Sequence, residues 1–183
     1  MDFNLVIKKT LSEFKKADIH YALIGGFALG MWGISRATVD VDFLVLNSDM
    51  DKVDGIMKGL GYQNVFHNGN VSQYSSPVKV FGEVDFLHAF REASVSMLEN
   101  AEDKQIFGGK LSIKVARPED LIGLKIQAIA NDETRLAGDL ADIESLMALY
   151  KEKLDWDRIG EYFSIFEKDG MVKELRRKYL GDK

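Results

Sequence analysis

The run "TVDVDFLVL", residues 38–46, constrains this chain more than any other stretch. In an extended strand, successive side chains point to opposite faces. Val39, Val41, Phe43 and Val45 therefore share a face that suits a core. Asp40 and Asp42 share the opposite face, with only Val41 between them. Two ionised carboxylates near low-dielectric surroundings are costly unless a proton or a cation compensates them. A divalent cation does this well, because Mg²⁺ takes oxygen ligands and commonly binds through one or two carboxylates plus substrate phosphates. The bland alternative is a wet face on an edge strand.

Two further signals bear on that choice. "GEVDFLHAF" repeats the device, planting Asp85 in an apolar strand. If that strand lies beside residues 39–46, Asp85 becomes a third carboxylate and a candidate general base toward an attacking hydroxyl. Glu83 shares its parity and is a rival for the same role. The second signal is Gly25-Gly26, which ends the apolar run Tyr21–Ile24 just before a short helical stretch. Backbone N–H groups at such a turn can meet a phosphate, and glycine allows close approach. An ordinary tight turn would look the same. Three carboxylates beside a phosphate-binding turn suit two-metal phosphoryl or nucleotidyl transfer.

The rest of the chain reads in two parts. Phe3, Val6, Ile7, Leu11 and Phe14 recur at helical spacing. Strands are expected at 21–24, 39–46, 62–66, 71–74, 78–87 and 111–115, and helices at 27–32, 50–60 and 93–100. After Pro118, well suited to the first turn of a helix, four successive helical segments run toward the end. The expectation is an α+β chain. Residues 1–116 form a core with a mixed sheet of about 4–6 strands, and residues 117–183 a helical region packed on it. With 183 residues and 46% hydrophobic content, the chain can fill one good-sized core. A formal net charge of -5 gives no support to bulk polyanion binding. Cysteine is absent, which removes disulfides, thiolate metal sites and a cysteine nucleophile. The opening "MDFNLVIKKTLSEF" has no signal-peptide apolar region, and no run approaches a membrane span. A cytoplasmic protein that does not engage the membrane is expected.

"IGGFALGMWGISRATVDVDFLV" resembles the signature of the DNA polymerase β-like nucleotidyltransferase superfamily: a Gly-Gly or Gly-Ser turn, a short helix, Asp-x-Asp on the next strand, and a third Asp on a later one. Arg36 and Thr38, leading into the acidic pair, are similar to one branch. It contains abortive-infection nucleotidyltransferase toxins and lies near the lincosamide and aminoglycoside nucleotidyltransferases. "RPEDLIGLKIQAIANDETRLAGDLADIESL" is similar to that branch's helical motif. The resemblance spans roughly residues 21–149.

It implies transfer of a nucleoside monophosphate from an NTP to an acceptor hydroxyl on a small molecule, tRNA or protein. Asp40, Asp42 and Asp85 would be catalytic and hold Mg²⁺, with Mn²⁺ as an alternative. Gly25, Gly26, Arg36, Thr38 and Lys125 would bind the nucleotide. Many members carry Ser where this chain has Gly26, so the phosphates would lose one hydroxyl contact. Each assignment has a structural counterpart: Arg36 and Thr38 could pin the loop before the strand, and Lys125 could pair with Asp139 or Asp142. His20, His67 and His88 lack metal-ligand spacing and read as surface or core residues. The basic "KELRRKY" reads as a solvated helix face that could touch tRNA. The rival functions are a non-catalytic nucleotide- or partner-binding module, with an antitoxin as a possible partner, and a metal-dependent glycosyltransferase.

Overall fold

The computed structural model describes residues 1–181. The chain divides into two compact units, residues 1–31 with 35–116, and residues 32–34 with 117–183. Among the described residues, no helix is long and apolar enough to cross a membrane.

The first unit is built on a seven-stranded mixed sheet. Its strands are β1 (Tyr21–Ile24), β2 (Asp40–Leu46), β3 (Gln63–His67), β4 (Val71–Ser75), β5 (Glu83–Ala89), β6 (Glu102–Ile106) and β7 (Leu111–Val115), in spatial order β3-β4-β5-β2-β1-β7-β6. β2 pairs parallel with β5, and β1 parallel with β7. The pairs β1–β2, β3–β4, β4–β5 and β6–β7 are antiparallel. The helices of this unit are α1 (Phe3–Ala17), α2 (Gly25–Met31), α3 (Met50–Gly59) and α4 (Glu92–Glu99).

Alternation along the strands creates two faces. Phe43, Phe86 and Tyr74 lie on one, all essentially inaccessible to solvent. Phe14 of α1 meets Tyr21, Phe43 and Phe86 there, at ring-centroid distances of 5.3, 5.6 and 6.2 Å. Burial of these rings stabilises the unit. On the second face Ala22 and Leu44 are fully buried, and α4 packs against β2, β1 and β5. Asp40, Asp42 and Asp85 stand on this second face and are half-buried.

The sheet has one strand beyond the six that the sequence pattern marks. β6 reads "EDKQI", and its pattern alternates half-buried with exposed residues, so little apolar signal announces it. The start of β5 also differs. Val78 and Val80 are apolar but exposed, and residues 78–81 form a turn, with the Phe81 amide donating to the Val78 carbonyl at 2.9 Å. The strand begins at Glu83.

The second unit holds α5 (Pro118–Asn131), α6 (Leu136–Tyr150), α7 (Trp156–Ile165) and α8 (Asp169–Leu180). Arg117 precedes Pro118, and Glu119 and Asp120 fill the first turn of α5, where acidic groups complement the helix dipole. These acids also tie helices together. Glu119 accepts from the Asp155 amide at 2.9 Å, and the buried Asp120 accepts from Arg158 at 2.9 Å and Tyr162 at 2.7 Å. Trp32 packs edge-on against Tyr150, whose hydroxyl donates to the Trp32 carbonyl at 2.8 Å.

Candidate active site

β2 and β5 run side by side in register, with Asp40 opposite Glu83 and Asp42 opposite Asp85. The pairing alone brings Asp42 and Asp85 onto one face as neighbours, with Asp40 one pleat along. One carboxylate oxygen from each of Asp40, Asp42 and Asp85 lies within 4.8 Å of the others. All three side chains are half-buried, whereas Glu83 is exposed.

The neighbours of these carboxylates are specific. Thr38 Oγ1 donates to Asp40 Oδ1 at 2.7 Å. Gln73 Nε2 donates to Asp85 Oδ2 at 2.9 Å. Asp85 is held above the usual carboxylate range. Burial is the largest cause, Asp40 and Glu83 add like-charge repulsion, and the Gln73 hydrogen bond pulls the other way. Its proton affinity is therefore raised.

The two glycines have physical reasons written in this strand. Gly25 has φ of +67°, and a Cβ there would collide with the Asp42 carboxylate. At Gly26 a Cβ would stand 2.8 Å from both Cβ and Oγ1 of Thr38. The Gly-Gly turn thus forms a notch that receives Asp42 and Thr38. Residue 26 has little room for any side chain, because its Cβ would press on Thr38.

The structure brings together Gly25, Gly26, Thr38, Asp40, Asp42 and Asp85. Arg36 is exposed in the loop before β2. Lys125 belongs to the helical unit, where Nζ donates to Asp139 Oδ1 at 2.8 Å and Asp142 Oδ2 at 2.6 Å. Arg135 adds a 2.9 Å contact to Asp139. Burial would raise the Asp139 carboxyl, but hydrogen bonds from Lys125 and Arg135 outweigh it and hold the group below its ordinary value. The histidines lie elsewhere. His20 pairs with Asp49 at 2.9 Å, and the Ser72 hydroxyl lies 2.8 Å from His67 and 2.9 Å from His88. The basic C-terminal cluster makes interhelical ion pairs, Lys178 with Glu144 at 2.7 Å and Arg176 with Asp157 at 3.6 Å. A cavity of about 280 Å³ is lined by Ile7, Leu23, Phe27 and Ile113 among others. It lies on the face of the sheet that α1 covers, away from the carboxylates.

Gln73 is the residue at this site that the sequence pattern did not mark. β4 alternates buried Ser72 and Tyr74 with half-buried Val71, Gln73 and Ser75, so its parity was readable. Its partner strand was not.

An acidic triad on two parallel strands, next to a glycine turn that leads into a short helix, defines a nucleotidyltransferase-type α+β protein. The chain belongs to the family described as "nucleotidyl transferase of unknown function (DUF2204)", whose model matches residues 4–177. Solved structures share the fold. The solution structure of the antibiotic-resistance factor ANT(2'')-Ia superposes with a TM-score of 0.66 at 15% identity, covering 97% of this chain and 99% of that one. A lincomycin-bound lincosamide antibiotic adenylyltransferase, LnuA, gives 0.57 at 14% identity, over 79% and 96%. An antigenic nucleotidyltransferase-like protein from Paracoccidioides brasiliensis gives 0.56 at 15% identity, over 95% and 91%. A search of curated proteins finds no match.

Proposed function

We propose that this protein moves a nucleoside monophosphate from an NTP to an acceptor hydroxyl and releases pyrophosphate. The observation that supports this most is the meeting of Asp40, Asp42 and Asp85 within 4.8 Å. The donor set fits Mg²⁺ or Mn²⁺: three hard carboxylate oxygens, grouped on neighbouring strands rather than on loops. A resident Mg²⁺ held by these residues would supply Lewis acidity at the reacting phosphate and neutralise charge on the leaving pyrophosphate.

The remaining roles fall to the chain's own groups. Asp85, on the strand beside Asp40 and Asp42, accepts the proton of the acceptor hydroxyl. The acceptor oxygen bonds to the α-phosphorus while the bond from that phosphorus to pyrophosphate breaks. Backbone N–H groups at Gly25 and Gly26 face the phosphates, Arg36 brings a guanidinium suited to them, and the Thr38 hydroxyl borders the same notch. Lys125 is proposed as a further phosphate ligand from the resemblance alone. The acceptor is a small molecule, a tRNA or a protein.

The test uses ATP, CTP, GTP and UTP labelled at the α-phosphate, with Mg²⁺, against total RNA, protein lysate and an aminoglycoside panel. Label should move to one acceptor class with release of pyrophosphate, and Asp40→Asn should abolish the transfer. Calorimetric binding of an NTP with no transfer to any acceptor would replace this reading with that of a nucleotide-binding module.

A further inference from the structure

We propose that Gln73 is a positioning residue for Asp85, an inference that rests on the nucleotidyl-transfer reading of the triad. In the β4–β5 ladder Gln73 stands directly opposite Asp85, and in the β2–β5 ladder Asp85 stands directly opposite Asp42. The three side chains form one row across adjacent strands on the face opposite Phe43 and Phe86. Gln73 spends its carboxamide on Asp85 Oδ2 at 2.9 Å. That fixes the rotation of the Asp85 carboxylate and leaves Oδ1 as the oxygen not engaged by Gln73.

The residue type matters. A Lys or Arg in this place would pair with Asp85 as a competing cation and weaken its hold on a metal. A Glu would add another like charge to the row. A hydrophobic residue would leave the carboxylate free to rotate. A neutral donor orients Asp85 and adds no charge. Outer hydrogen-bond partners of this kind set the geometry of ligating carboxylates, and their loss costs about 10–100-fold in metal affinity or activity. Asp40 has a matching arrangement, since its Oδ1 accepts from the neutral Thr38 hydroxyl.

Gln73→Leu removes the donor at nearly constant volume, and Gln73→Glu keeps the shape but turns the donor into an acceptor. Both are compared with the wild type by calorimetric titration with Mn²⁺, and by pyrophosphate release at saturating cation. The wild type should bind Mn²⁺ and turn over NTP. Both variants should weaken Mn²⁺ binding or lower kcat about 10–100-fold, with KM for NTP within about twofold and Gln73→Glu the more impaired. If Gln73→Leu fails to fold, Gln73→Glu decides. Wild-type values for Mn²⁺ affinity and kcat in Gln73→Glu would overturn the role of Gln73 and leave the transfer reading standing. A wild type that neither binds Mn²⁺ nor releases pyrophosphate would overturn the transfer reading, and this inference with it.

Discussion

Asp40 and Asp42 sit where a strand would ordinarily carry neutral polar residues on its solvated face. Like charges on two carboxylates there, with a third on the neighbouring strand, repel one another, and a bound cation relieves that repulsion. Asp40→Asn and Asp42→Asn should therefore fold at least as well as the wild type while losing transfer. A thousandfold drop in kcat corresponds to about 4 kcal/mol of transition-state stabilisation, and a drop of that order is expected. Thermal melts read the first effect and pyrophosphate release reads the second. Gly25 makes a converse case. Gly25→Ala places a methyl group into the Asp42 carboxylate at a backbone φ of +67°. It should lower the melting temperature and abolish Mn²⁺ binding together, because the carboxylate must move. Retained cation affinity in that variant would mean that the notch does not position Asp42.

At the scale of elements, buried polar contacts set the behaviour. In the helical unit, Lys125 joins α5 to α6 through Asp139 and Asp142, all buried. Lys125→Met leaves two carboxylates without their shared cation and should cost about 3–5 kcal/mol in stability, measured by denaturant unfolding. A loss below about 1 kcal/mol would show that the pair is bypassed by solvent. In the sheet, β4 and β5 meet at Ser72 and His88. Burial is the main cause that pushes His88 below its ordinary value of 6.5, helped by nearby His67 and opposed by the Gly69 carbonyl. As pH falls below about 6.5, the unfolded chain takes up a proton that the folded histidine resists, so stability falls. His88→Gln should flatten the dependence of melting temperature on pH between about 7.5 and 5.5. An unchanged slope would assign the acid sensitivity to other groups.

Much of the site is written in the chain before it folds. Period-2 alternation made Asp40, Asp42 and Asp85 legible, and only the pairing of β2 with β5 was needed to join them. β6 was not legible, because an edge strand reading "EDKQI" has almost no apolar face to announce. Val78 and Val80 misled in the other direction, since apolar residues in an exposed turn look like the beginning of a strand. Gly25-Gly26 was visible as a turn. That its empty space receives Asp42 and Thr38 is a tertiary fact, as is the Gln73 contact, which depends on which strand flanks β5. That Lys125 pairs with Asp139 and Asp142 is likewise a tertiary fact, set by the packing of α5 against α6.

For the whole molecule, the triad links ligand binding to stability. A cation that binds only the folded chain at one hundred times its Kd adds about 2.7 kcal/mol. For a chain of this size that is a rise of about 5–11 °C in melting temperature, expected with Mn²⁺ and reversed by chelation. The most direct test of the central claim is a calorimetric Mn²⁺ titration of the wild type beside Asp40→Asn, Asp42→Asn and Asp85→Asn. Convergence of the three carboxylates on one centre requires that each single substitution weaken the same binding event in a protein that remains folded. Wild-type affinity in any one of the three variants would contradict it.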